Sequence, residues 1–166
     1  MSEPVFDDLP EERAARYAAL RPIIAATLAG EPNVIARYAT ASSMLANAFE
    51  GRFFWCGFYL VDAARPNELV VGPYQGTLGC LRIPFGKGVC GACAQQKQTI
   101  IVADVHAFPG HIACDSRSAS EIVVPVIDKS GALAAVLDVD ATEPDAFDAR
   151  DAAGLEAICA DLLTLA

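Results

Sequence analysis

Two oily runs, SEIVVPVID (residues 120–128) and ALAAVLDVD (132–140), each carry acids where a buried strand has no use for them. Both are rich in Val, Ile and Leu, and the Asp128-Lys129-Ser130-Gly131 turn between them predicts a hairpin. Side chains alternate faces along a strand, so Asp138 and Asp140 project from one side together with Val136 and Ala134. A hairpin that closes with Asp128 opposite Gly131 puts Glu121 opposite Asp138. Cross-strand partners on one face have Cβ atoms about 5 Å apart, where like charges repel. Three carboxylates on one patch of sheet cost stability unless a cation is bound or a proton is shared. The hairpin therefore reads as a binding surface.

The rest of the composition narrows the partners. With 166 residues, 54% of them hydrophobic, the chain has ample material for one core, and it reads as one domain spanning residues 1–166. A net charge of −9 without a Lys/Arg cluster argues against nucleic acid and anionic membrane. The N-terminal MSEPVFDDLPEE is acidic and lacks a signal-peptide core, and no run reaches the roughly 18 apolar residues of a membrane span. A cytoplasmic location is expected. In that reducing compartment the six cysteines are read as thiols, ligands or redox catalysts rather than structural staples.

Helices are predicted from about Glu11 to Ala29, kinked or split at Pro22, and from Pro32 to Phe49, with Ile35, Tyr38, Met44, Leu45 and Phe49 buried. Strands follow near Arg52–Val61 and Glu68–Gly72, parted by a turn at Ala64–Asn67. The Gly-rich stretch after them holds a short strand at Cys80–Ile83 and a short helix from Val89 to Gln96. A strand at Thr99–Ala103, the acidic hairpin and an amphipathic helix over Asp148–Leu165 complete the order. Helices at both ends around a central, mostly antiparallel sheet make an α+β fold.

Between the Thr99–Ala103 strand and the hairpin lies DVHAFPGHIACDSRS (104–118), too long for an ordinary connection and suited to a lid. It holds His106, His111, Cys114, Asp104 and Asp115, and it runs into the strand bearing Glu121. Cys56 and Cys159 sit in apolar settings and read as core fillers. Cys90-Gly-Ala-Cys93 has CxxC spacing but no second copy. A zinc set of Cys80, Cys90, Cys114 and His111 lacks the spacing of compact zinc modules. A Cys–His protease pair would leave the acids opposing an anionic intermediate.

Sulfoxide reduction uses all of these groups. A thiolate attacks the sulfoxide sulfur while a carboxylic acid of raised pKa protonates the oxygen. Remaining carboxylates hold a substrate ammonium. The sulfenic acid so formed condenses with a second cysteine, and a dithiol donor reduces the disulfide. Neither a metal nor an organic cofactor enters this scheme.

The segments WCGFYL, GPYQGTLGC, RIPFGKGVCG, DVHAFPGHIACDSRSASEIVVP and VLDVD together resemble the free methionine-(R)-sulfoxide reductases, a family built on a GAF domain. The resemblance runs from about Arg52 to Asp140 and implies a single GAF-like domain. It implies a thioredoxin-dependent enzyme acting on the R epimer of free methionine sulfoxide, and a homodimer. Cys114 becomes the nucleophile, and Cys80 or Cys90 its resolving partner. Glu121 and Asp140 handle the oxygen and its proton, and Asp138 takes the ammonium. Trp55 and Tyr59, spaced to share a strand face, wall the methyl-sulfur end. Backbone amides of Asp115–Ser120, Asp115, Ser116 and Ser120 among them, are expected to form a nest for the substrate carboxylate. Arg117 is read as solvated and the histidines as loop-ordering groups. Cys56 and Cys93 depart from the family's pattern, and Cys93 raises the prospect of a thiol that intercepts the disulfide. The second reading is a noncatalytic GAF sensor of a small molecule or of redox state.

Overall fold

The structure is a computed structural model that describes residues 6, 8–112 and 114–163. Ten helices and strands follow the expected order. Helix α1 spans Arg13–Thr27 and α2 Val34–Ala48. Strands β1 (Trp55–Asp62), β2 (Arg65–Gln75) and β3 (Arg82–Pro84) precede α3 (Gly88–Gln96) and β4 (Ile100–Val102). The hairpin strands are β5 (Ser120–Ile127) and β6 (Leu133–Ala141), and α4 is Ala149–Leu162. The six strands form one sheet in the order β3-β2-β1-β6-β5-β4, with every neighbouring pair antiparallel. This is the α+β architecture that the sequence predicts, and the acidic hairpin sits in it next to β1.

Strand alternation sorts the core into two halves. Cys56, Phe58, Ile122, Val124, Val126, Leu137 and Val139 pack on one face against α1, α2 and α4. The alternate residues Trp55, Tyr59, Val123 and Val136 pack on the other against Val89, Cys90, Cys93 and Ala94 of α3. Cys56 and Cys159 are fillers of the helical side, as expected.

Several element boundaries move, each for a local reason. Helix α1 starts at Arg13 because the Glu12 side chain accepts the Ala14 and Ala15 N–H groups as the cap. It runs unbroken past Pro22. Asn33 caps α2, so Pro32 lies outside it. Ile35 is exposed rather than buried, and Arg37 takes a core position instead. Its guanidinium is occupied by the carbonyls of Leu28, Glu31 and Leu162, which are helix-end acceptors that need donors. Strand β2 extends through the turn expected at Ala64–Asn67. The reading of the first residues and of a last helix reaching Leu165 falls partly outside the described residues.

The hairpin register differs from expectation. Glu121 lies opposite Asp140, and Asp138 lies opposite Val123. The Asp128 carboxylate accepts the Ser130 and Ala132 N–H groups, the Asp128 N–H donates to the Ala132 carbonyl, and Gly131 adopts a positive φ of 83°. Together with an irregularity between Val126 and Ile127, this loop lengthens the turn and slides the pairing by two residues. A two-residue slide preserves the strand's period, so all three acids stay on one face.

Candidate active site

That shared face is the floor of a pocket. Register puts Trp55 beside Asp140 and Gly57 beside Asp138, so the acids neighbour the aromatic residues of β1 on the same side. Trp55, Tyr59, Cys90, Glu121, Asp138 and Asp140 all line the cavity. The Trp55 and Tyr59 rings stack with centroids 5.6 Å apart, and Tyr74 also stacks on Trp55 at 5.0 Å. Helix α3 closes one side through Gly88, Val89 and Cys90.

Two loops form the roof. The β2–β3 connection brings Leu78, Gly79 and Cys80, and the loop after β4 brings His111, Ile112, Cys114, Asp115 and Ser118. They are joined by a disulfide between Cys80 and Cys114, with Cα atoms 5.3 Å apart, a spacing that suits the bond. The Thr77 hydroxyl donates to Asp115 at 2.7 Å beside that link, and the Trp55 indole N–H donates to the Thr77 carbonyl at 3.0 Å. Gly79 matters here. A Cβ on it would stand 2.9 Å from the Tyr59 hydroxyl and 3.1 Å from the Trp55 ring, so only glycine lets this loop lie flat on the aromatic wall.

The electrostatics of the floor are unusual. Glu121 and Asp138 are buried at 5% and 6% exposure, and among the described residues no Lys or Arg pairs with them or with Asp140. Desolvation, reinforced by the Asp140 charge, pushes Glu121 up to about 8. Asp140 is pushed up to about 7 by its own burial, offset in part by the Ser118 hydroxyl that donates to it. Asp138 is raised well above the ordinary carboxylate range, by burial and then by the charges of Asp140 and Glu121. The Cys90 thiol donates to Glu121 Oε1 at 3.8 Å, and its pKa too is driven up by burial and by the acids. A floor that holds protons at neutral pH, next to a pair of redox-linked sulfurs, has the parts for acid-assisted thiol chemistry.

The comparisons with known proteins agree with this arrangement. Residues 39–163 match the family model for a GAF domain. GAF domain-containing protein A of Dictyostelium discoideum is 50% identical over 136 residues, covering 82% of this chain and 83% of that protein. The free methionine-R-sulfoxide reductase of Saccharomyces cerevisiae is 43% identical over 130 residues, covering 76% and 72%. An X-ray structure of the free methionine-R-sulfoxide reductase from Neisseria meningitidis, in complex with its substrate, superposes with a TM-score of 0.88 at 43% identity, covering 94% of this chain and 91% of that one. The chain belongs to the free methionine-R-sulfoxide reductase family of GAF domains.

The structure unites most of the predicted site residues of this reductase-family chain and separates others. Cys114, Glu121, Asp138, Asp140, Trp55, Tyr59, Cys90 and Asp115 line one pocket, and Cys80 joins them through its bond to Cys114. Ser120 does not belong there. Its side chain points to the helical side, donating to the Glu143 carbonyl and accepting from the Ala146 N–H. Ser116 is exposed and absent from the cavity wall. The expected amide nest is largely spent: the Arg117, Ser118 and Ala119 N–H groups donate to Asp115 and to the Ala141 carbonyl.

Arg117 is not merely solvated either. It grips Asp115 at 2.8 Å and sits 4.8 Å over the Phe54 ring, which holds the Asp115 carboxyl far below the usual range. Cys93 is fully buried, its thiol donating to the Val123 carbonyl, and is in no position to intercept the roof sulfurs. The zinc set of Cys80, Cys90, Cys114 and His111 fails because two of its thiols are bonded to each other. His111 lines the pocket with Nδ1 buried and unpartnered among the described residues, so it orders the loop less than expected. Ser118 was missed as a pocket side chain. Strand parity gave no signal for it, because Ser118 has the parity of Ser120 and enters the pocket from the loop before β5.

Proposed function

We propose that this protein reduces free methionine (R)-sulfoxide to methionine, with Cys114 as nucleophile, Cys80 as resolving cysteine and thioredoxin or a like dithiol as final reductant. The observation that carries the reading is the pair of linked sulfurs roofing a pocket whose floor holds three carboxylates, two of them buried, with no Lys or Arg partner among the described residues. The relative from Neisseria meningitidis, captured with its substrate, supports the substrate class.

In the reduced protein the Cys114 thiolate attacks the sulfoxide sulfur. One proton, managed by Glu121 and Asp140, reaches the oxygen; the S–O bond breaks as the oxygen passes to the Cys114 sulfur, and the transient bond between the two sulfurs cleaves, leaving methionine and a Cys114 sulfenic acid. Glu121, raised to about 8, is protonated at neutral pH and still acidic enough to give that proton up. The Cys80 thiol then attacks the sulfenic sulfur, expelling water and forming the disulfide. Two thiols are oxidised and one sulfoxide is reduced, and thiol–disulfide exchange with the external dithiol resets the pair.

Binding follows from the same floor. Asp138 faces the substrate ammonium, and a cation there draws its proton off and lets it ionise. Trp55 and Tyr59 flank the methyl-sulfur end. With the Arg117, Ser118 and Ala119 amides engaged and the Ser118 hydroxyl donating to Asp140, the remaining roof amides are the groups left for the carboxylate. A pocket that reads both charged ends of an amino acid excludes peptide-bound substrate. Cys90 has the weaker claim as resolver, since it lies buried on the floor beside Glu121 while Cys80 already meets Cys114. The chain is read as one domain over residues 1–166, working as a homodimer in the cytoplasm; no helix among the described residues is long and apolar enough to cross a membrane.

The test is turnover of separated R and S epimers of free methionine sulfoxide with thioredoxin. Selective turnover of the R epimer, abolished by Cys114→Ser, is the expected result. Equal rates on both epimers, or on a sulfoxide-containing peptide, would contradict the reading.

A further inference from the structure

The floor contains a constellation that the reductase scheme does not use as such. Cys90 Sγ and one carboxylate oxygen each of Glu121 and Asp138 lie within 4.8 Å of one another, all three residues buried. The Cys90 Sγ to Glu121 Oε1 separation is 3.8 Å. A tetrahedral zinc ion with a zinc–sulfur bond of about 2.3 Å and a zinc–oxygen bond of about 2.1 Å sets its sulfur and oxygen ligands about 3.6 Å apart. This edge of the triangle is thus close to ligand spacing already.

Acidic residues clustered together are common without an ion, but a second feature points to a ligand here. Asp138 Oδ1 is buried with no hydrogen-bond partner among the described residues, in a side chain only 6% exposed that lines the pocket. A buried, unsatisfied carboxylate oxygen is costly, and a cation is its natural complement. His111, with a buried and unpartnered Nδ1, also lines the cavity but stands outside this triangle of ligand atoms.

We propose that Cys90, Glu121 and Asp138 form a binding site for a borderline-soft divalent cation of the zinc class, on the ground assigned above to the substrate ammonium. The donor set of one thiolate and two carboxylates matches zinc and cobalt, and disfavours magnesium and calcium, which take oxygen ligands only. Binding the ion displaces the protons these three groups hold, so affinity rises with pH. Occupancy of the site does not depend on the proposed reaction. Its consequence does: the ion and the amino acid compete for Asp138, and free zinc restrains the reductase by excluding substrate.

The experiment uses cobalt as the probe on the full-length protein with the Cys80–Cys114 disulfide intact, so that neither roof thiol can contribute. The expected result is a thiolate-to-cobalt charge-transfer absorption that saturates at one ion per chain. Cys93→Ser should retain it, Cys90→Ser should lose it, and Asp138→Asn should weaken binding at least tenfold, with circular dichroism confirming that each variant is folded. Absence of the band in wild type, or its persistence in folded Cys90→Ser, overturns the site. The competition is read separately in Cys80→Ser/Cys114→Ser, which leaves the pocket free of both roof thiols and cannot turn over. Free methionine (R)-sulfoxide should bleach the band there, and a band indifferent to saturating sulfoxide overturns the shared ground while leaving the metal ligands assigned. Failure of epimer-selective turnover with the cobalt band intact would instead sink the reductase reading alone.

Discussion

Asp151, in the first turn of α4, and the trio of Glu121, Asp138 and Asp140 are all carboxylates withdrawn from water, and they are furnished in opposite ways. Asp151 receives Arg13 at 2.7 Å, Arg52 at 3.1 Å, the Tyr17 hydroxyl at 3.0 Å and the Asp148 N–H at 2.9 Å. Its charge is matched on every side, and it ties α1 and the segment before β1 to the last helix. The trio, on the other face of the same sheet, has among the described residues a thiol, a serine hydroxyl and its own members as hydrogen-bond partners, and no Lys or Arg. The difference separates two uses of a buried acid. Where the partners are built in, the acid holds the fold. Where they are missing, the site spends stability on a preference for something brought from outside, here a cationic group and a proton acceptor.

Four predictions sharpen or break this contrast. The largest concerns Glu121→Gln, which keeps the shape and removes the proton. It should lower kcat/KM by about 10²–10⁴-fold if Glu121 acts as general acid, while the folded protein becomes more stable at pH 8; a rate change under threefold removes the role. Asp151→Ala should do the reverse. Stranding Arg13 and Arg52 should cost on the order of 3 kcal/mol in urea unfolding, with turnover at low temperature close to wild type.

Next comes pH. Glu121 at about 8 and Asp140 at about 7 bind more protons folded than unfolded, because their unfolded values lie near 4. Stability is therefore greatest below about pH 4 as far as these groups are concerned, and it falls as pH rises towards 8. Each of the two groups is expected to cost roughly 4 kcal/mol over that interval, and Glu121→Gln should remove its share. A flat profile in wild type would mean that the acids are paired in solution. The smallest effect is that of Thr77→Val, which deletes the clasp to Asp115. It should slow closure of the Cys80–Cys114 bond by about fivefold, as expected of a hydrogen bond worth about 1 kcal/mol, without changing the first sulfoxide reduction in a rapid-quench experiment.

Much of this was legible in the sequence because strand parity is robust. Asp138 and Asp140 share a face whatever the turn does, and Trp55 and Tyr59 share theirs for the same reason. The pairing of Glu121 was not legible. It depended on how Asp128 folds its side chain over the turn, which composition does not reveal. Arg37 and Ile35 exchanged roles because a helix end elsewhere in the chain needed a donor. That is a long-range demand with no local mark. The roof was harder still: Ser120 is one residue from Glu121 and therefore faces the opposite side, while the amides of 117–119 are consumed by contacts that only the closed loop creates. Arg117 was misread because one partner, Phe54, is distant in sequence and meets it only once the loop has folded.

The central claim is that Cys114, above the unpaired acids, takes the oxygen from the substrate. The most direct measurement is mass spectrometry of reduced Cys80→Ser protein after one equivalent of free methionine (R)-sulfoxide in the presence of a sulfenic-acid trap. The account predicts one methionine released per chain and a single adduct on Cys114. Methionine formed without an adduct at Cys114, or with the adduct on Cys90, would contradict it.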